Sequence, residues 1–568
     1  MTRVQAVRSA RPDHQTRVMS DQYQGLYHSF QWLVPTQFNI AEMCCYQWAS
    51  NPSDARRIAL HCEDESGSRD IWSYGRLAQA ANQLANGLVR MGLGAGDRLA
   101  IILGQRAETV VAHMAAYAIG AITVPLPTRI SPDVLTDRLL DAEPRAAIVD
   151  MASGEETLSA LDRAPSVQQI VSIDFADERT IPWRSLLARQ PSEFRRTTTK
   201  ASDPALLLYT AGTTSTPKGV LLSHAALIGN LPGFVSTQDW FPQPDDIFWS
   251  PADWSSSIGL MAALLPTLYF GMPVVATNQR HTPESALAVM ERYAVTNALL
   301  SPTDINAMMK AVPQPRSHHQ LALRSLAISG APLGKALFTW CQDALGITPN
   351  ETYSQAEASL VVGNCQARWP SKPGSMGRPI PGHNVAILDD DGLPLSVGEI
   401  GELAVSRHDI HGMPDPVLFL GYWRDDATTQ ARHHGHWYRT GDLAWRDQDG
   451  DLWHAGRSSD VFWAGGQRID PAQLEIQLLA HPAICNVAVV PIAGRKNAVH
   501  VYFVAAPLAT QDDAVDALAN EIRPLLQSQL GLDDGAILIT RLDSLPITVT
   551  GQIQRRLLSQ LAASGIHY

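Results

Sequence analysis

The sequence predicts an α/β protein with a large N-terminal part of parallel sheets under covering helices, a β-barrel-like subdomain, and a small α+β C-terminal domain. Three observations carry this. Helical and strand-like periodicity alternate through the first third of the chain, which is the signature of parallel strands joined by crossover helices. After about Gly374 the texture changes to short alternating segments separated by Gly and Pro turns. From about Asp460 strands and a long amphipathic helix fill a compact stretch of roughly a hundred residues.

Between Trp72 and Met91, Leu77, Ala81, Leu84 and Leu88 recur at helical spacing and Gly92 supplies a stop. Arg98–Leu103 reads as a strand, a helix over Glu108–Ile119 leads to a strand at Ile122–Val124, and Ala146–Val149 and Ile170–Ile173 repeat the strand signal. Leu206–Leu208 is a short apolar run, as is Val220–Leu222. The uncharged stretch Ile258–Ala276 is just long enough to span a bilayer, but Pro266, Gly271 and Pro273 interrupt it, so it reads as a helix followed by a buried strand. Further on, Val385–Leu388 and Glu402–Val405 are strands, and Asp449-Gly450 marks a hairpin turn. The last part holds strands at Val487–Pro491 and Val501–Ala505 and a helix through Asp513–Leu530. The expected division is a polar, disordered leader over 1–22, an N-terminal domain over 23–458 that includes a β-rich subdomain at about 375–455, and a C-terminal domain over 459–568.

With 568 residues, 45% of them apolar and 18% charged, the chain has room for large buried cores and the composition of a globular enzyme. A formal charge of −12 disfavours nonspecific binding to nucleic acid or to an anionic membrane surface. The six cysteines show neither metal-ligand spacing nor the density of a disulfide scaffold, which points to a reducing cytoplasm.

The stretch from Tyr209 to His224, YTAGTTSTPKGVLLSH, is suited to phosphate. Gly212 leaves backbone N–H groups unshielded, Thr210, Thr213, Thr214, Ser215 and Thr216 add hydroxyls, and Lys218 adds an ammonium. It is not the GxxxxGK[ST] loop, because Gly219 and Val220 follow the lysine. The stretch resembles the YTSGTTGxPKG signature of the adenylate-forming superfamily, which includes acyl-CoA synthetases, peptide-synthetase adenylation domains and luciferases.

Other segments resemble that family in the same order. Ser329–Leu333, SGAPL, is similar to the turn that lies against the nucleotide, which implies contacts from Gly330, Ala331 and Pro332. Glu351–Glu357, ETYSQAE, resembles EGYGQTE. There the resemblance implies that Tyr353 stacks on adenine, that Glu357 holds Mg²⁺, and that Glu351, Thr352, Ser354, Gln355 and Ala356 border the adenylate. In WYRTGDL, Asp442 takes the place of the aspartate that binds the ribose hydroxyls. In GRSSDVFWAGGQRI, Arg457 also reaches the ribose, Ser459 stands at the hinge, and Gly465 and Gly466 belong to the loop lining the pantetheine tunnel. The chemistry suits these assignments: a carboxylate accepts from two vicinal hydroxyls, an aromatic face suits a purine, and a guanidinium suits an anion. SPADWSSSIG resembles the PADWxW segment of the acyl-CoA synthetase branch, implying an acyl pocket bordered by Trp254 and Ser255, with Ser329 beside it; a core aromatic is the other reading of Trp254.

In that family a carboxylate first attacks ATP to give an acyl-adenylate, and a CoA thiol then displaces AMP while the mobile C-terminal domain turns about its hinge. This sequence departs where the first step needs charge. Pro546–Leu557, PITVTGQIQRRL, is similar to PxTxxGKIxRxxL, with Gln552 at the position of the lysine that bridges carboxylate and α-phosphate. Glutamine donates hydrogen bonds but carries no charge, and losing one preorganised electrostatic contact costs on the order of 10²- to 10³-fold in rate. Ala211, Ser215, Ser354 and Ala356 also depart from the pattern near phosphate. The expectation is a CoA ligase acting on a preformed acyl-adenylate, with AMP and CoA as its ligands, ATP and Mg²⁺ use weakened, and a separate adenylating ligase as supplier. A complete two-step synthetase with Lys218 compensating, a binding protein without turnover, and a carrier-protein loading module are the competing readings.

Overall fold

The computed structural model describes residues 21–151, 154–210, 218–279, 281–479, 481, 483–492, 495, 497–505, 512–546 and 553–564. Ala211, Gly212, Thr213, Thr214 and Gln552 lie outside the described residues.

The fold is mixed α/β. One sheet has eight strands and is parallel from Pro204–Thr210 through Ile122–Pro125, Arg98–Ile102, Ala146–Asp150 and Gln169–Ile173 to Thr180–Pro182. Such strands are covered on both faces, so their residues divide between two cores. Leu206 and Leu208 join the large core that also holds Leu84 and Tyr117, while Leu207 and Tyr209 point to the opposite core with Leu135 and Leu139. The period of two thus sends the Tyr209 ring away from the large core, where its hydroxyl donates to Asp141. Two antiparallel strands, Lys218–Ser223 and Gly421–Tyr422, complete this sheet on the side of Pro204–Thr210.

The second sheet has nine strands, with parallel pairing along Ile58–Glu63, Val274–Thr277, Phe248–Trp249, Asn297–Leu300, Ser325–Ile328 and Asn350–Tyr353. The long helix over Tyr74–Arg90 starts where the Ser73 side chain accepts from the Arg76 N–H, a capping contact that fixes its first turn. Ser257–Tyr269 is helical with a wide turn at Leu260–Leu264, and its residues from Leu260 to Leu268 are all buried, as is the strand Val274–Thr277 beyond it. Burial between elements accounts for its apolarity. No helix among the described residues is long and apolar enough to cross a membrane.

A five-stranded antiparallel sheet runs from Val385 to Arg457. A smaller unit follows, with a ribbon of Phe462–Ala464 and Gln467–Ile469 and a three-stranded sheet of Ile484–Pro491, Val499–Ala505 and Ile537–Arg541 packed on helices. Lys310 donates to the Ile484 carbonyl at 2.6 Å, tying this unit to the N-terminal region.

At the start of the described residues, Gln22 donates its backbone N–H to the Arg368 carbonyl and Asp21 pairs with Arg378 at 2.6 Å.

Candidate active site

The phosphate-suited stretch is the hairpin between Pro204–Thr210 and Lys218–Ser223, with Thr210 and Lys218 as cross-strand partners. The parallel strand brings Thr210 to its C-terminal edge, the place where an open α/β sheet receives ligands. Lys218 Nζ lies 5.3 Å from the Tyr422 ring centroid, and the Tyr422 hydroxyl donates to Glu357 Oε1 at 2.8 Å. Three residues distant in sequence therefore meet because Gly421–Tyr422 pairs with Val220 and Leu221.

Asn350–Tyr353 delivers the second group. The Tyr353 hydroxyl donates to Asp442 Oδ2 at 2.5 Å, and Gln355 Nε2 donates to the same oxygen at 2.5 Å and to the Thr440 carbonyl at 3.1 Å. Arg457, the cross-strand partner of Asp442, places Nε 3.7 Å from Oδ1. One carboxylate oxygen is thus consumed in orienting the tyrosine and glutamine, and the other faces a guanidinium. Burial, reinforced by the Asp442 carboxylate, holds the Tyr353 phenol well above its ordinary pKa, so it stays a donor. The Tyr438 hydroxyl donates to Gln355 Oε1 at 3.1 Å and fixes which way that amide points.

Glu351 and Thr352 have other work. Glu351 is buried, and its two oxygens accept from the backbone N–H groups of Leu333 at 2.8 Å and Gly374 at 3.1 Å. Burial pushes its pKa up to about 7. It is the post to which the SGAPL turn is fastened, and Thr352 Oγ1 is spent on the Val362 carbonyl. The turn itself leaves Gly330 exposed at φ +102, a backbone conformation that suits glycine, with Ala331 exposed and Pro332 half-buried beside it. Ser329 is buried, and its hydroxyl has no hydrogen-bond partner among the described residues. Ser354 exchanges a hydrogen bond with Ser359, and Ala356 packs against the large core.

Trp254 is 2% exposed within the large core, so its bulk is used in packing. Ser255 N–H donates to Asp253 Oδ1 at 2.8 Å. Ser459 is exposed and bonds Asp460, while Gly466 is exposed with nothing within 4 Å of the position a Cβ would take.

The Glu357 carboxylate suits a Mg²⁺ ligand: one oxygen accepts from Tyr422, and the other has no hydrogen-bond partner among the described residues. The carboxylates of Asp447, Asp449 and Asp451 also lie close enough to share an ion, but Lys372 Nζ stands 2.7, 2.7 and 3.0 Å from them and supplies the positive charge. Motif spacing did not reveal Tyr422, which enters through strand pairing that a linear reading of Gly421-Tyr422 does not contain. Tyr438 lies inside the WYRTGDL motif, but the motif gives no sign of its bond to Gln355.

A family model described as AMP-binding enzyme matches residues 46–423. An uncharacterised acyl-CoA ligase of Bacillus subtilis (strain 168) is 28% identical over 529 residues, covering 92% of this chain and 96% of its own length. Acetyl-coenzyme A synthetase of Nitrosomonas europaea is 29% identical over 587 residues, covering 96% and 87%. Among solved structures, an acyl-CoA synthetase of Brucella canis superposes with a TM-score of 0.73 at 27% identity, covering 96% of this chain and 99% of its own. An anthranilate CoA ligase in complex with anthranoyl-AMP superposes with a TM-score of 0.82 at 24% identity, covering 93% and 98%, and shares the fold.

Proposed function

We propose a reaction for this chain from the premise that it belongs to the AMP-binding enzyme family: it is an AMP-forming acyl-CoA ligase that carries out the thioester step on an acyl-adenylate and adenylates its acid poorly. The acyl-CoA ligase and acetyl-coenzyme A synthetase relatives, aligned over more than nine-tenths of this chain, support the ligase reading. The observation that carries the narrower reading is Gln552, which stands where the family's adenylating lysine is expected.

In the proposed step the CoA sulfur attacks the acyl carbonyl carbon. A C–S bond forms, the C–O bond to the phosphate breaks, AMP leaves with the electron pair, and the thiol proton passes to solvent. Asp442 Oδ1 and Arg457 take the ribose, and Tyr353, oriented through its hydroxyl, offers its face to the adenine. Gly330 opens the turn beside the adenylate, and Gly466 leaves room for pantetheine. None of these roles needs the charge that Gln552 lacks. Where Mg²⁺ is bound, Glu357 would hold it, and the ion would neutralise phosphate charge. Trp254, Ser255 and Ser329 are proposed to bound the acyl end, and Ser459 to be the hinge.

The test separates the half-reactions. Purified protein given acetyl- or benzoyl-adenylate and CoA should yield thioester and AMP. With the matching acid, ATP and Mg²⁺, pyrophosphate exchange should run on the order of 10²- to 10³-fold below that of the Gln552→Lys variant. Exchange as fast as the thioester step in the unaltered protein would favour a complete synthetase. The placement of Lys218 beside Tyr422 and Glu357 is what supports that second reading. Absence of thioester from every adenylate would refute both.

A further inference from the structure

One broad recess takes no part in the chemistry above. It is open to solvent and offers about 1560 Å³ between the N-terminal arm at 32–43, the segment 194–202, the start of the helix Ala226–Thr237, and the segment 413–420. Met43, Phe194, Ile228, Tyr269 and Leu418 give it apolar walls. Its mouth carries Leu33, 88% exposed, with Met413 and Leu420 close to half exposed. Exposed apolar side chains gathered around a recess mark a binding surface more often than chance does.

Its charge is opposite to that of the chain. Arg195 and Lys200 are exposed on one wall, and among the described residues neither side chain forms an ion pair, although the Lys200 backbone N–H donates to Asp203 Oδ2 at 2.8 Å, in a protein of net charge −12. Arg196 between them is already paired with Glu42 at 2.7 Å and lies over the Tyr46 ring. Two cationic side chains outside any ion pair, beside an apolar recess, suit a ligand with an anion at one end and hydrocarbon at the other.

The walls are fixed in shape. Asp415 and His383, both fully buried, pair at 2.7 Å and pin the segment that carries Met413 and Leu418. Val417 lies so close to Gly229 that a Cβ there would stand 2.4 Å from its Cα. The recess is also larger than the roughly 300–1,000 Å³ of ordinary small-molecule pockets, which leaves room for a chain.

We propose that this recess is a binding site for a free single-chain fatty carboxylate, with its head group on Arg195 and Lys200 and its chain against Phe194, Ile228 and Tyr269. The site is separate from the adenylate site, although the Phe419 N–H donates to the Glu357 carbonyl from the same segment. It stands whether or not the chain forms thioesters.

The test is a fluorescence titration of the full-length protein with 11-(dansylamino)undecanoic acid, with and without a saturating acyl-sulfamoyl-adenosine to fill the adenylate site. Binding should persist with the adenylate site filled. It should weaken about tenfold in Arg195→Glu/Lys200→Glu, as expected for two exposed ion pairs reversed, and survive Lys200→Arg. Leu33→Asp, at a side chain almost wholly in water, should weaken it without altering thermal stability. Displacement of the probe by the adenylate analogue, or unchanged affinity in the double variant, would overturn the proposal. So would co-sedimentation with phosphatidylglycerol vesicles without probe binding, which would indicate a membrane. A dimer dissociated by Leu33→Asp, again without probe binding, would indicate a second copy of the chain.

Discussion

Asp442→Asn tests the proposed ribose site most sharply, because the substitution changes charge and hydrogen-bond polarity while leaving shape alone. In the native arrangement one oxygen accepts from both Tyr353 and Gln355 and the other faces Arg457. An asparagine has one acceptor oxygen and one NH₂ group. If its oxygen keeps Tyr353 and Gln355, the NH₂ group confronts the Arg457 guanidinium, a donor against a donor, and the reverse orientation orphans two donors. The residue is 8% exposed, so solvent does not repair the mismatch. Losing a charge-assisted hydrogen bond costs about 1.5–3 kcal/mol, which corresponds to a roughly 10- to 150-fold weaker Kd. Calorimetric titration with AMP measures this without turnover. Tyr353→Phe, which keeps the ring and removes one donor, should cost less, about 1 kcal/mol. AMP affinity within twofold of the unaltered protein in Asp442→Asn, accompanied by a lower Tm, would assign the carboxylate to packing alone and refute its role toward ribose.

Further outcomes follow from other residues. Glu351, whose pKa is pushed up to about 7 by burial, binds its proton more tightly in the folded chain than in the unfolded one. Its contribution to stability is full below about pH 4.3 and is lost as pH rises through about 7, so Glu351→Gln should flatten the fall in Tm over that window. Glu475, also pushed to about 7 by burial, keeps its own slope in the variant. Lys372→Ala leaves Asp447, Asp449 and Asp451 facing one another, so thermal melts should show a lower Tm that millimolar Ca²⁺ restores, with no Ca²⁺ response in the unaltered protein. Gly229→Ala drives a methyl into Val417 and should destabilise the fold by about 1–3 kcal/mol in denaturant titrations. Lys218→Ala should abolish residual pyrophosphate exchange while leaving thioester formation from a supplied adenylate within about tenfold, since one cation at the phosphate hairpin is lost.

The parallel sheets were legible because helix and strand periods are local properties. The run at Leu77, Ala81, Leu84 and Leu88 becomes the buried stripe of Tyr74–Arg90, and Val385–Leu388 is a strand with those bounds. The uncharged stretch from Ile258 was also readable, since its prolines and glycine excluded a spanning helix. Pairings between distant segments were not. Nothing local in Gly421-Tyr422 says that it closes the edge of a sheet begun more than three hundred residues earlier, yet that pairing brings Tyr422 to Glu357. Nor does the sequence around Glu351 distinguish a ligand-binding carboxylate from one that anchors a turn; only the Leu333 and Gly374 N–H groups do that. Asp21 and Gln22 are polar and their sequence gives no hint of their partners, Arg378 and Arg368, which lie more than three hundred residues away.

The pairing of Gly421–Tyr422 with Lys218–Ser223 sets a limit on how the gene can be cut. A fragment or chimera junction placed before Tyr422 would leave Lys218–Ser223 as an open sheet edge, ready to pair with another chain and prone to aggregate. A junction beyond Trp423, whose N–H donates to the Gly219 carbonyl at 2.7 Å, keeps the phosphate hairpin clamped on both sides. Exchange of the C-terminal unit between relatives should therefore yield soluble hybrids only when the donor sequence begins downstream of that residue.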